Sequence, residues 1–460
     1  MPDQPISLQN MNRLLPLLFL TIGCLPSYSQ TTITVMDGVI FHDGYAGLVP
    51  DVAPQPGIIK LRNDLFTRKL TTDELASIGT TLQMRVVIGA LCDNYDRIGG
   101  VNMALVPAGE ETYDPALVEH IELGRFITPF MNKNIQPDSV PYVFNVDNVA
   151  MLLKDVELTN TYDIWIELAV FGVPYAANTQ VAGCSNRNDV FSGKLTFQTN
   201  DPVAAADTNV LLPLFFNTNM NNYQAGATDT LGQTTRSITF QVEEDLTDAS
   251  FFLITSNHGA NTDGEEYNRR FHYAYYNGAL RLTYKPGRLT CEPFRQFNTQ
   301  GNGIYGSSPR TPAQWQSFSN WCPGDVIDIR RIDLGPVTAG EHSFMLRVPT
   351  AVFANGEGYF PLSLYFQGTT SGSITGIEFA DQGGSDPSLA IYPNPTNGSF
   401  TIELPSKKAQ ITVTNVLGEI VYQQNSTTSR TQLQLENSGL YMVRVRTEQG
   451  TTTRKVVVDK

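Results

Sequence analysis

Residues 237–246 read SITFQVEEDL. Ile238, Phe240 and Val242 fall on one side of an extended chain, with Thr239 and Gln241 on the other. Successive side chains of a strand point to opposite faces, so this alternation predicts a half-buried antiparallel strand. The same period of two recurs in YDIWIELAVFG (162–172) and PLSLYFQG (361–368). Helical periodicity is scarce: TTDELASIG (71–79) and DPALVEH (114–120) each suggest one short turn. The 460 residues include 37 Gly, 27 Pro, 19 Tyr and 24 Phe, the composition of a turn-rich, all-β protein.

Two breaks divide these strands. DPVAAADTNV (201–210) is a polar interruption between strand-rich blocks of similar size, and a Gly/Ser-rich stretch of linker composition runs from Gly368 to Ser388. The expected organisation is three β domains, over 31–200, 201–370 and 388–460, with a linker at 371–387. Residues 1–29 have the features of a signal peptide. Arg13 precedes the apolar run LLPLLFLTIG, and the small residues Ser27 and Ser29 place the mature start at Gln30. Beyond the leader stand four cysteines, Cys92, Cys184, Cys291 and Cys322. An even number in an exported chain predicts two disulfides, and three pairings are open. The net charge of −14 disfavours nucleic acid and anionic lipid as partners.

Chemistry is expected where charge interrupts apolar sequence. LCDNYDRI (91–98) carries Asp93, Asp96 and Arg97 within a strand-like stretch. A buried carboxylate is costly unless paired or protonated, so these residues form either a structural ion pair or a site. Similar intrusions are HIELGRFITPF (120–130), Glu167 in IWIELAVFG (164–172), NHGANTDGEEYNRRFH (257–272) and SNWCPGDVIDIRRIDLG (319–335). The plain readings are an Asp96–Arg97 ion pair, a solvent-facing Glu167, a loop acid at Glu265 or Glu266, and a core Trp321.

The last block, with IYPNPTNGSFTI (391–402), NVLGEIVYQ, GLYMVRV and a terminal Lys460, resembles the C-terminal sorting domain of type IX secretion substrates. That resemblance implies a small Ig-like β-sandwich that carries an address. It further implies a Gram-negative bacterium, export to the cell surface or medium, and the type IX machinery as a partner.

The first two blocks together resemble the peptide-N-glycosidase F family. The resemblance rests on Cys92-Asp93-Asn94-Tyr95-Asp96-Arg97, on GRFITP (124–129), and on Glu266 followed by Tyr267, Arg270 and His272. WCPG (321–324), with RID at 331–333, completes it. It implies two eight-stranded antiparallel jelly rolls side by side. It also implies hydrolysis of the amide between an asparagine and the first N-acetylglucosamine of an N-glycan, giving Asp and a glycosylamine. By position the catalytic acids are Asp96, Glu266 and Glu167. Asp96 is the main acid/base, and the two glutamates hold substrate or orient water. Tyr95, Arg97, Arg270 and Trp321 are the matching substrate-binding candidates.

Cys291 and Cys322 fall where the family has a disulfide, leaving Cys92 and Cys184 for each other. The expected partners are N-glycoproteins or glycopeptides, and the expected state is a monomer. No cofactor or metal is expected. A copper centre, which paired jelly rolls also host, needs clustered imidazoles, whereas the five histidines (42, 120, 258, 272, 342) include no HxH. The chain departs from the family at Gly264 and Asn268, where a cysteine pair brackets the catalytic glutamate. It departs again at Ala169, in place of a tryptophan, and at Phe318, in place of an arginine. These departures favour an alternative, a glycan-binding protein on the same scaffold; the retained acids favour the enzyme.

Overall fold

The computed structural model describes residues 30–51, 55–204, 209–224, 229–260, 264–370, 390–404, 409–415, 420–447 and 450–458. The expected leader and linker lie outside the described residues. The chain is all-β, built of antiparallel sheets packed in pairs.

In the first pair, one sheet orders the strands Thr31–His42, Asp189–Thr199, Leu82–Ala90 and Ser139–Asn145. Facing it are Glu119–Ile127, Ile98–Pro107, Tyr162–Val170, Leu65–Lys69 and Ile58–Arg62. The core between them takes alternate residues of each strand, among them Met84, Val86 and Ile88 from one sheet and Val101, Met103, Ile166 and Leu168 from the other. In Tyr162–Val170 the odd positions Asp163, Trp165, Glu167 and Ala169 consequently point away from that core.

The second pair packs Asn209–Met220, Phe360–Thr370, Leu246–Thr255 and Arg330–Val337 against Thr235–Val242, Gly340–Arg347, His272–Tyr276 and Ala279–Tyr284. Ile238, Phe240 and Val242 are buried as the alternation predicts, and Phe240 and Phe366 lie 5.4 Å apart in the core. The C-terminal unit pairs a three-stranded with a four-stranded sheet around Phe400, Ile402, Ile411, Val413 and Val443.

The two larger units share an interface that fixes their relative position. Leu211, Phe252 and Tyr365 of the second unit join the first unit's core. The short strand Val326–Ile327 leaves the second unit and pairs with Phe126 and Arg125 of the first. Arg125, 1% exposed, is held by Glu122 and donates to Ser256 Oγ (2.9 Å), Pro361 O (2.8 Å) and Asn217 Oδ1 (2.9 Å) across the junction. Burying a guanidinium is tolerable because its charge is paired with Glu122 Oε2 at 2.6 Å and its donors find acceptors.

Three helical turns stand out. Thr72–Ala76 is capped by a reciprocal Thr71–Glu74 box, and Asp147–Leu153 and Val156–Thr161 form where no helix was expected. Their sequence DNVAMLLKDVEL places Val149, Ala150, Leu152, Leu153 and Leu158 inward, a helical face too short to stand out in the sequence.

Candidate active site at the junction of the two units

The LCDNYDRI stretch turns the corner between strands Leu82–Ala90 and Ile98–Pro107. Arg97 pairs with Asp93, not with Asp96: its Nε donates to Asp93 Oδ2 at 2.6 Å. This corrects the expected Asp96–Arg97 pair. The geometric cause is that residues four apart face each other across this tight loop. Asp93 is 1% exposed and also accepts from the backbone N–H groups of Val173 (2.7 Å) and Tyr95 (2.9 Å). Arg97 N–H donates to Thr128 Oγ1, and Thr128 N–H returns a bond to Arg97 O, each at 2.8 Å, so the GRFITP segment clamps the loop. A disulfide from Cys92 to Cys184 anchors its start. Tyr95 is left 44% exposed, its ring 5.6 Å from that of Phe130.

Asp96 therefore lacks the cation that would hold it ionised. Burial, reinforced by the charge of Glu266 and only partly offset by Arg97, pushes its carboxyl up to about 7.

The second unit offers Glu266 from the loop at 264–270. Here too one of two neighbouring acids takes the arginine. Glu265 is fully buried, accepts two N–H groups of Arg270 at 2.9 Å each, and accepts Val352 N–H at 2.8 Å. Glu266 instead accepts from Gly259 N–H at 3.4 Å and from the Tyr267 hydroxyl. Burial raises its carboxyl, with those two hydrogen bonds opposing. The loop is organised by Asn320, whose Nδ2 donates to the carbonyls of Glu265 (2.7 Å), Glu266 (2.7 Å) and Asn268 (3.0 Å). Asn268 Nδ2 in turn donates to Gly264 O at 2.9 Å. A hydrogen bond thus spans the two positions at which the resemblance leads one to expect a cysteine clamp.

Glu167 lies outside this pair. It is 2% exposed and accepts from Asn102 Nδ2 (2.9 Å) and the Tyr113 hydroxyl (2.8 Å), with His120 Nε2 at 3.0 Å. Burial raises its carboxyl, but His120, Asn102 and Tyr113 together outweigh this and hold it below the usual range. The His120 ring stacks on Phe216 of the second unit at 4.6 Å. Glu167 is a sealed, ionised group within the sheet and no solvent-facing residue. Neither Asp96 nor Glu266 is among the groups that set its charge.

Trp321 is 6% exposed, packs with Ile127, Ile254 and Ile327, and donates its indole N–H to Asn257 O at 3.0 Å. It is core behind the site and presents no open ring face. Arg97 and Arg270, expected to touch substrate, are committed to Asp93 and Glu265. Cys291 is bonded to Cys322 beside Trp321. Among the described residues, no group of three or more His, Cys, Asp or Glu is arranged to hold a metal ion. Sequence reasoning missed Asp93 and Glu265 as braces and Thr128 and Asn320 as supports, and it named Tyr267 only as part of the Glu266 motif. Their only signal was adjacency to the charged motifs.

Residues 32–187 match the family described as peptide-N-glycosidase F, N terminal, and residues 227–367 match peptide-N-glycosidase F, C terminal. Residues 390–459 match the secretion system C-terminal sorting domain. No curated protein matches the chain. Among solved structures, PNGF-II is 20% identical with a TM-score of 0.52, over 74% of this chain and 65% of that one. The chain therefore spans just under two thirds of PNGF-II. A peptide-N(4)-(N-acetyl-β-D-glucosaminyl)asparagine amidase is 16% identical with a TM-score of 0.51, over 75% of this chain and 98% of that one. At these identities the likeness is one of fold. Taken with the family matches over both larger units, it shows that the chain belongs to the peptide-N-glycosidase F family and ends in a sorting domain for type IX secretion, which directs it to the cell surface or the medium.

Proposed function

We propose that the protein is a secreted glycoamidase that hydrolyses the Asn–GlcNAc amide of N-glycoproteins or glycopeptides. The observation that carries this reading is that Asp96 and Glu266, one from each unit, are the acids their loops' paired arginines leave over, each carboxyl raised by burial and Asp96 raised further by the charge of Glu266. Two mutually repelling carboxylates in a partly dry site hold one proton between them near neutral pH. Amide hydrolysis needs such a pair. An ionised carboxylate takes a proton from water as its oxygen bonds to the amide carbon. A protonated carboxyl then donates to the nitrogen as the C–N bond breaks. The products are a peptide aspartate and a glycosylamine.

In this reading Asp96 faces the scissile amide, Glu266 shares its proton and orients water, and Tyr95 lines the entrance. Glu167 supports the site indirectly, by fixing the sheet between the two units. General acid–base assistance of this kind contributes roughly a hundredfold to ten-thousandfold in rate.

The test is incubation with a glycopeptide followed by mass spectrometry. The expected product is a peptide about one dalton heavier than its Asn form, lost when Asp96→Asn replaces the wild type. Intact glycopeptide that nonetheless binds would instead support the glycan-binding reading, which Ala169 and Phe318 favour.

A further inference from the structure

Two tyrosines, one from each unit, border the site, and the proposed chemistry uses neither. Tyr359 belongs to the second unit. Its backbone exchanges two hydrogen bonds with that of His258, each at 3.1 Å. The residue after His258 is Gly259, which is tied to Glu266 twice: Glu266 N–H donates to Gly259 O at 3.2 Å, and Gly259 N–H donates to the Glu266 carboxylate at 3.4 Å. Tyr359 is thus mounted on the backbone that holds the reactive carboxyl. The mount is fixed. The Tyr223 hydroxyl donates to Gly358 O at 2.6 Å, and a Cβ on Gly358, where φ is +87°, would lie 2.3 Å from His258 O, so this close approach requires glycine. The Tyr359 side chain remains 37% exposed. Burial raises its hydroxyl; the charge of Arg125 opposes this, and those of Glu266 and Tyr45 add to it, which puts both groups within its reach.

Tyr45 comes from the first unit and is 73% exposed. Its ring packs edge-on against Phe171 at 5.2 Å. Gly44 N–H donates to Gly172 O at 2.9 Å, and a Cβ on Gly44 would lie 2.5 Å from the Phe171 ring, so the two segments meet without a side chain between them. Two residues beyond Phe171, Val173 donates its N–H to Asp93, the acid that closes the Asp96 loop. Tyr45 is therefore joined to the Asp96 side of the junction and Tyr359 to the Glu266 side. Among the described residues neither hydroxyl is held by a hydrogen bond.

We infer that Tyr45 and Tyr359 form a clamp, one jaw from each unit, that holds a pyranose ring of the N-glycan. This rests on the glycoamidase reading, which places a glycan at the junction. A phenol ring offers flat apolar surface to the C–H face of a sugar, and its hydroxyl both donates and accepts, as sugar hydroxyls do. A neutral ligand is favoured over an anion. Glu266 would repel a negative group beside Tyr359, and the nearby cation, Arg125, is 1% exposed and committed to Glu122. A peptide strand is disfavoured because it would add to an unpaired backbone edge, whereas the backbone groups of His258 and Tyr359 already pair with each other.

The experiment compares the full wild-type chain with Tyr45→Ala, Tyr359→Ala, Tyr359→Phe and the double alanine variant. Each is first checked for an unchanged circular dichroism spectrum. Glycopeptide cleavage is then assayed, and binding of the free oligosaccharide, without peptide, is measured by calorimetry. Loss of a jaw that grips ground and transition states alike is expected to raise KM about tenfold in each alanine variant, with far less change in kcat, and to weaken oligosaccharide binding by a similar factor. Tyr359→Phe keeps the ring and should lose only a few-fold. The double variant should lose less than the product of the single effects, because one missing jaw already frees the sugar. Unchanged KM and oligosaccharide affinity in both alanine variants, beside an active wild type, overturn the inference and leave the glycoamidase intact. A raised KM with unchanged oligosaccharide affinity means that the tyrosines hold peptide, and strictly multiplicative losses mean two separate contacts; either result overturns the clamp. A wild type that binds the oligosaccharide in a tyrosine-dependent way without cleaving overturns the glycoamidase and keeps the inference. A wild type that neither binds nor cleaves overturns both.

Discussion

Replacing Asp96 by Asn should stabilise the protein at neutral pH while abolishing amide hydrolysis. The magnitude follows from the raised carboxyl. In the unfolded chain Asp96 ionises near 3.8; in the folded protein it retains its proton up to about 7. Between those values the unfolded state binds fewer protons than the folded one, so this residue's contribution to stability falls as pH rises and levels off above about 7. At about 1.4 kcal/mol per pH unit the full effect is about 4 kcal/mol, an upper bound because the side chain is partly accessible to solvent. Asparagine has the same shape and no ionisation to suppress. The stability difference between Asp96→Asn and wild type should therefore be near zero at pH 4 and grow to a few kcal/mol by pH 8. In a domain of 150–250 residues each kcal/mol moves Tm by about 2–4 °C, so several degrees are expected in a larger body. Thermal unfolding of both proteins from pH 4 to 8.5 measures this, with glycopeptide cleavage followed in parallel. A Tm difference that does not change with pH would refute the claim that Asp96 is held protonated by the site.

Glu265→Gln and Glu266→Gln, adjacent and chemically identical changes, should separate. The first strands Arg270 and should cost about 3–5 kcal/mol in unfolding free energy, whereas the second should leave stability unchanged or higher and lower cleavage a hundredfold or more. Glu167→Gln should destabilise at pH 7. Because the folded carboxyl is depressed, the wild-type advantage is present above the ordinary glutamate range and lost as pH falls through the lower folded value, which a pH series of Tm measures. Its kcat should fall far less than that of Asp96→Asn. Replacing Cys92 and Cys184 by Ser should cost at most about 4.5 kcal/mol in denaturant melts, and replacing Cys291 and Cys322 about 3.5–4 kcal/mol. The second pair should cost more activity, because it closes the segment that carries Asn320, which holds the Glu266 loop.

The all-β class was legible because buried strands impose a period of two, and 237–242 shows it without interruption before the chain turns at 243–245. The junction of the units was less so. Leu211, Phe252 and Tyr365 carry no mark in the sequence that distinguishes packing against another unit from packing within their own. Trp321 illustrates the same limit at the site. An indole next to a disulfide serves equally as core or as a sugar platform until its N–H is seen bonded to Asn257 O. Glu167 was misread in environment because a charged residue among apolar alternation normally faces water. The partners that make its burial tolerable, Asn102, Tyr113 and His120, come from two other strands and the loop between them.

The two loops that meet at the site solve one electrostatic problem in the same way. Each carries two acids and an arginine that pairs with one of them: Asp93, Asp96 and Arg97 in one, Glu265, Glu266 and Arg270 in the other, where Arg269 instead donates to the carbonyls of Ser319 and Arg288. In each, the arginine closes back on the first acid, which is almost fully buried and fixed by backbone N–H donors. The pair is neutral and rigid, and it leaves one carboxyl per loop outside the pairing. Docking the two units then brings these remaining carboxyls within each other's field, where both cannot be ionised without cost. The raised carboxyl of Asp96 follows from burial and from the charge of Glu266, once Arg97 has been taken by Asp93. Sequence supplies the inventory of acids and arginines, but only the backbone turn decides which acid is paired. Exchanging the roles within either loop would leave composition and net charge unchanged and remove the proton from the place where the proposed amide hydrolysis needs it.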